Sequence, residues 1–139
     1  MDESVKHYTL TLPNDIKAVP QLNSFMESVL PWDGTMLMTI KLALEEAVVN
    51  VMTYAYPDNV TGEVTVDVFL EEKRLRIVIT DGGRPFDPTE MADVDTTLPL
   101  EERKVGGLGI HFIRQLMDTT DYERRDGNNV LTLTKIIKN

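Results

Sequence analysis

Apolar and polar positions alternate over residues 7–12, with Tyr8, Leu10 and Leu12 on one side, and this period of two predicts a first strand. Pro13-Asn14-Asp15 then supplies a turn and a helix start. Ile16, Val19, Leu22, Phe25, Met26, Val29 and Leu30 recur at helical spacing despite Pro20, until Pro31 ends the segment. Asp33-Gly34-Thr35 is a second start signal, and a long helix is expected from about 35 to 54, stopping ahead of Pro57. Val64, Val66, Val68 and Leu70 next alternate with Glu63, Thr65, Asp67 and Phe69. After the polar Glu71-Glu72-Lys73 turn, Leu75, Ile77 and Ile79 alternate with Arg76, Val78 and Thr80, which completes a hairpin.

The prolines and glycines of residues 81–88 (Asp-Gly-Gly-Arg-Pro-Phe-Asp-Pro) cannot extend that ladder. Residues 89–105 are acidic and irregular, with Asp93, Asp95, Glu101 and Glu102. Gly106-Gly107-Leu108-Gly109 follows and opens a helix through Ile110, Phe112, Ile113, Leu116 and Met117. A second hairpin is expected at the end: a strand near 120–125, a turn at Asp126-Gly127-Asn128-Asn129, and a strand over 130–137. The order β-α-α-β-β-loop-α-β-β predicts an α+β fold, a two-layer sandwich with helices on one face of a mostly antiparallel sheet.

Composition narrows the class. The 139 residues suggest one domain, 1–139, and the 42% hydrophobic and 27% charged fractions are those of an ordinary globular chain. Spans of about 18 apolar residues are absent, so no membrane segment is expected. Met1-Asp2-Glu3-Ser4 leads into no apolar run, so a secretory signal is not expected and a cytoplasmic location is. With no cysteine, disulfides and thiolate-bound metals are excluded. A net charge of −9 leaves no basic footprint for nucleic acid, so no direct nucleic-acid binding is expected. A nucleotide remains compatible, because backbone N–H groups and a metal ion can cover its phosphates; so does a basic protein partner.

The long helix carries the first candidate chemistry. On a wheel of about 100° per residue, Leu37, Ile40, Ala47, Val48, Val51 and Ala55 fall within roughly 60° of Leu44 and form a core stripe. Glu46 and Asn50, four apart, stack on a face roughly opposite, beside Thr39 and Thr53. Solvent alone would account for that face, except that Leu42 and Val49 flank Glu46; a ligand under a closing loop or a neighbouring subunit would cover them. An asparagine carbonyl oxygen suits Mg²⁺, and a glutamate one turn away suits proton abstraction from a hydroxyl.

Two loops add to this. A carboxylate at Asp81, where a strand ends, can accept from an exocyclic amine, and Gly83 permits close backbone approach; the same residues also make a common Asp-Gly turn. The glycines at 106, 107 and 109 ahead of a helix form an anion cradle, or simply a glycine-rich helix start. No Gly-Lys-Ser/Thr follows, so this is not a Walker loop.

In order and spacing, Glu46-Ala-Val-Val-Asn50, Asp81-Gly-Gly83-Arg-Pro-Phe-Asp87-Pro and Gly106-Gly107-Leu108-Gly109-Ile resemble the N, G1 and G2 boxes of the GHKL ATPases. Within that superfamily the chain looks most like the stand-alone anti-sigma factor serine kinases, over nearly its whole length. The resemblance implies a Bergerat ATP-binding sandwich with ATP and Mg²⁺ as cofactors. It implies Asn50 on Mg²⁺, Glu46 as general base, Asp81 and Gly83 at adenine, and Gly106, Gly107, Leu108 and Gly109 near the phosphates. It further implies an ATP lid over residues 88–105, with Arg103 and Lys104 as the nearest basic candidates for the γ-phosphate. The partners implied are a sigma factor, an anti-anti-sigma protein phosphorylated on serine, and a second copy in a homodimer. A non-catalytic module that switches a partner when ATP binds is the alternative. Two departures stand out: Pro85 where the G1 box often has glycine, and Asn128-Asn129 where the superfamily often has Gly-Thr ahead of the final strand.

Other residues suggest less. His7 and His111 are too far apart for a metal pair, and neither lies in a phosphoacceptor-like helix hairpin. Ser24 and Ser28 lack a His/Asp pattern for a hydrolase triad. Trp32 is expected to pack between the first two helices, and Met36, Met38 and Met52 to fill the core.

Overall fold

The computed structural model describes residues 5–56, 61–90 and 113–137. Five strands, β1 (Lys6–Pro13), β2 (Glu63–Leu70), β3 (Arg74–Asp81), β4 (Thr119–Arg125) and β5 (Asn128–Ile136), pair entirely antiparallel in the order β1-β2-β3-β5-β4. The alternation that marks each strand is the reason for its orientation. Leu12, Val64, Val66, Val68, Leu75, Ile77, Ile79, Leu131 and Leu133 turn inward and are buried. Their neighbours, such as Thr9, Thr65, Arg76 and Thr132, turn to the opposite face.

Two helices cover the inward face. Asp15 caps a short 3₁₀ turn (Ile16–Ala18) by accepting the Lys17 N–H at 2.9 Å, and α1 (Val19–Val29) continues from it. Pro20 is harmless there, since the first turn of a helix has no intrahelical use for its N–H. Val19, Leu22 and Met26 of α1 join Ile40, Leu44, Ala47 and Val48 of α2 (Gly34–Asn50) and the sheet in one core. Leu44 and Ile77 are fully enclosed, and each contributes about 2 kcal/mol by leaving water. A helical stretch over 113–116 adds Ile113 to the same cluster.

Several expectations are amended. The long helix is α-helical only to Asn50; Val51–Ala55 wind as a π-helical turn, the looser form often found beside functional sites. The last hairpin turns on two residues rather than four. Asp126 (φ 51°) and Gly127 (φ 81°) both take positive φ, as a tight primed turn requires, so Asn128 and Asn129 belong to β5. Met38 is not core filler but 70% exposed. Trp32 is half-buried against the core and, with Tyr8, Val29 and Leu70, lines a depression at the β1 and β2 end of the sheet. Among the described residues no helix is long and apolar enough to cross a membrane.

Candidate functional site

The register of β3 and β5 sets Asp81 directly across from Asn129, at the end of both strands and on the covered face. Both are almost completely buried. Asp81 Oδ1 accepts two hydrogen bonds, from the Gly83 N–H and from Asn129 Nδ2, each at 2.9 Å. The second Asn129 amide proton goes to the Arg84 carbonyl at 2.8 Å. Asn129 Oδ1 in turn accepts the Phe86 N–H at 3.1 Å and the Tyr122 hydroxyl. Burial pushes the Asp81 carboxyl above its usual range; the bonds from Asn129 and Gly83 and the charge of Arg124 act the other way.

The loop that follows Asp81 is seated on the π-helical turn. The Arg84 N–H donates to the Ala55 carbonyl at 2.9 Å, and its Nε donates to the Tyr54 carbonyl at 2.8 Å. A Cβ at Gly83 would stand 2.3 Å from the Ala55 oxygen, so only glycine permits this seating. Arg124 Nη1 closes the other side on the Gly83 carbonyl at 2.8 Å. Tyr56 stitches the loop to β2: its hydroxyl accepts the Gly82 N–H and donates to the Glu63 carbonyl, both at 2.8 Å. Asp87 ends the segment, its Oδ1 accepting the Thr89 N–H at 2.8 Å and hydroxyl at 2.6 Å to start the 3₁₀ turn Pro88–Glu90.

Glu46 and Asn50 lie on α2, and Asn50 immediately precedes the π-helical turn that carries the loop. Helix, loop and the ends of β3 and β5 are thus tied together through backbone. The wheel placed Asn50 opposite the core, yet it is 1% exposed. The buried arc reaches past Ala47 through Ala43 to Asn50, about 120° from its centre. Glu46 is half-buried on the rim of that arc, and Val49 packs partly against the core, while Leu42 is 41% exposed. Burial raises the Glu46 carboxyl above its usual value, and the neighbouring Glu45 charge adds to the effect.

Arg103, Lys104, Gly106, Gly107, Leu108 and Gly109, with His111 and most of the expected lid, lie outside the described residues. Sequence reasoning passed over Tyr56, Arg84, Arg124 and Tyr122, and marked Asn129 only as a departure at the position where the superfamily often has Gly-Thr. The first four act through backbone carbonyls or another side chain, which composition and spacing do not reveal. Asn129 had a usable signal: a two-residue Asp-Gly turn fixes the strand register that pairs it with Asp81.

A five-stranded antiparallel sheet under two helices, with a buried acceptor at one strand end and a Glu and Asn pair on the adjoining helix, is the framework of a nucleotide-binding ATPase domain. Residues 12–135 match the family described as histidine kinase-like ATPase domain, and the chain belongs to that family. It is 34% identical over 103 residues to the serine-protein kinase RsbW of Halalkalibacterium halodurans, covering 71% of this chain and 62% of that protein. It is 35% identical over 103 residues to the RsbW of Bacillus cereus (71% and 63%), and 28% identical over 103 residues to the serine/threonine-protein kinase BtrW of Bordetella bronchiseptica (74% and 72%). The matched region thus spans under two thirds of the RsbW proteins' length. The fold is also that of the RsbU and RsbW domain structure from Mycobacterium tuberculosis, with a TM-score of 0.66 at 18% identity, covering 96% of this chain and 33% of that one.

Proposed function

We propose that the chain is an ATP-dependent protein serine/threonine kinase that phosphorylates an anti-anti-sigma protein of the STAS type and sequesters a sigma factor. The serine-protein kinase relatives support the activity. The observation that carries the site is Asp81: a buried carboxylate with Oδ1 engaged inside the protein, while Oδ2 takes no hydrogen bond from any described residue. That arrangement suits the exocyclic amine of adenine.

The donor set fits Mg²⁺ as well. Among the described residues no cluster of three or more His, Cys, Asp or Glu could hold a metal. Mg²⁺ commonly takes only one or two protein oxygens and completes its shell with water and phosphate, and the Asn50 amide oxygen is such a donor. Bound Mg-ATP would supply the transferable phosphoryl group and the charge that stabilises its transfer. Glu46 would take the proton of the substrate hydroxyl as the seryl oxygen bonds to the γ-phosphorus and the bond from that phosphorus to the β-phosphate oxygen breaks, with ADP leaving; its raised basicity suits that task. In this reading residues 1–139 form one ATP-binding domain in the cytoplasm, without contact to nucleic acid. The family resemblance adds to this reading an ATP-lid role for residues 88–105, phosphate binding by Gly106, Gly107, Leu108 and Gly109 with Arg103 or Lys104, and a homodimer; residues 91–112 lie outside the described residues.

The test is phosphotransfer from γ-labelled Mg-ATP to a cognate STAS-type protein. Label should appear on a serine, and Glu46→Gln should abolish it while ATP still binds. ATP binding with no transfer to any such partner would leave a non-catalytic, nucleotide-switched module and end the kinase reading.

A further inference from the structure

Asn129 makes four hydrogen bonds in a buried position, and their pattern admits only one orientation of its amide. Nδ2 faces two acceptors, Asp81 Oδ1 and the Arg84 carbonyl. Oδ1 faces two donors, the Phe86 N–H and the Tyr122 hydroxyl. Turning the amide over would set its oxygen against a carboxylate and a carbonyl, and its NH₂ against an N–H, leaving buried polar groups opposed on both sides. No other residue type of this size supplies two donors and an acceptor for two. Aspartate lacks both donors, and threonine has one.

We propose that Asn129 is a positioning and specificity-determining residue: it fixes Asp81 as a pure acceptor for a 6-amino group and offers no donor to a 6-oxo group, so the site takes 6-aminopurine nucleotides and rejects 6-oxopurine ones. Both Asn129 amide protons are consumed inside the protein, so neither can reach a purine carbonyl. One Asp81 oxygen is held by Asn129 and Gly83, which orients the other. The same amide latches two points of the following loop, Arg84 and Phe86, whose backbone would otherwise lack these partners. The inference rests on the nucleotide reading above and deepens it, because it concerns which base that site accepts and which residue decides.

The experiment compares ATP with inosine triphosphate, which carries a 6-oxo group in place of the amine, by calorimetric titration of the full chain and of Asn129→Asp. The unaltered chain should prefer ATP by on the order of a hundredfold, and Asn129→Asp should lower that ratio about tenfold or more, mainly through weaker ATP binding. A merely structural role would weaken both nucleotides together and leave the ratio unchanged, which would overturn the proposal. Should Asn129→Asp fail to fold, Tyr122→Phe decides instead. It frees one anchor of the amide, and it should lower the ratio by a smaller factor and speed hydrogen exchange at the Phe86 N–H. An unaltered ratio and unaltered exchange would defeat the proposal. If the unaltered chain binds neither nucleotide, the nucleotide reading itself fails and takes this inference with it; ATP preference retained in both variants removes the inference alone.

Discussion

Replacing Gly83 with alanine tests how the loop after Asp81 is held. The added Cβ would lie 2.3 Å from the Ala55 oxygen, 2.8 Å from its carbonyl carbon and 3.0 Å from its Cβ. Comfortable carbon contacts begin near about 3.5 Å, so the loop must retreat by roughly 1 Å. The obstacle is backbone, which cannot swing aside. The same Ala55 carbonyl accepts the Arg84 N–H at 2.9 Å, so retreat also breaks that bond. Overpacking costs about 1–3 kcal/mol and the lost bond about 1 kcal/mol, for a total of about 2–4 kcal/mol. In a domain of this size each kcal/mol lowers the melting midpoint by about 3–4 °C, which puts the expected fall at about 6–16 °C. Thermal unfolding followed by circular dichroism measures it. Gly127→Ala is the control: its φ of 81° strains alanine, but nothing lies within 4 Å, so it should cost only about 1 kcal/mol. Below the transition, folded Gly83→Ala should also bind ATP more weakly, since the Gly83 N–H positions Asp81. A midpoint for Gly83→Ala no lower than that of Gly127→Ala would refute the reasoning.

Tyr56→Phe removes the hydroxyl that joins the Gly82 N–H to the Glu63 carbonyl and should cost about 1–3 kcal/mol in urea denaturation; a loss of under a few tenths would mean water replaces it freely. Asp81→Asn keeps an oxygen for the Gly83 and Asn129 donors while removing a buried charge, so stability should hold or rise as ATP binding is lost. Because burial raises the Asp81 carboxyl, its favourable contribution is full below the ordinary carboxylate range and lost as pH climbs through the raised value. The advantage of Asp81→Asn over the unaltered chain should therefore be larger at pH 7 than at pH 4, and urea midpoints showing the reverse would contradict this sign. For phosphotransfer, the acid limb of the rate profile should fall above the ordinary glutamate range, reflecting the raised Glu46 carboxyl; a limb at or below that range would assign the base elsewhere.

The five strands, both covering helices and their order were legible because each carries its own period and is bounded by Pro, Gly or Asp. Asp81 was legible as the polar end of an apolar alternation. Asn50 was misplaced because a wheel locates only the centre of a buried stripe, whereas the width of burial depends on what packs beside it. Here the small Ala43 and Ala47 lie on that flank. The last turn was read two residues too long because Asn is a turn former by habit, and strand pairing overrode the habit at Asn128 and Asn129. The clamp formed by Tyr56, Arg84, Arg124 and Tyr122 was invisible for a different reason. Its bonds join positions between 7 and 41 apart in the chain, and only the folded sheet brings them together.

The placement of β5 between β3 and β4 has a consequence for how the molecule is assembled. The last of the described strands is an interior one, so as the polypeptide grows from its N-terminus, β3 stays an open edge until residues beyond 127 are available to pair with it. Asp81 lacks its amide partner over the same interval. A nascent chain stalled ahead of Asn128 would hold the residues of four strands yet could pair only β1, β2 and β3, since β4 and the open edge of β3 both wait for β5 to be threaded between them.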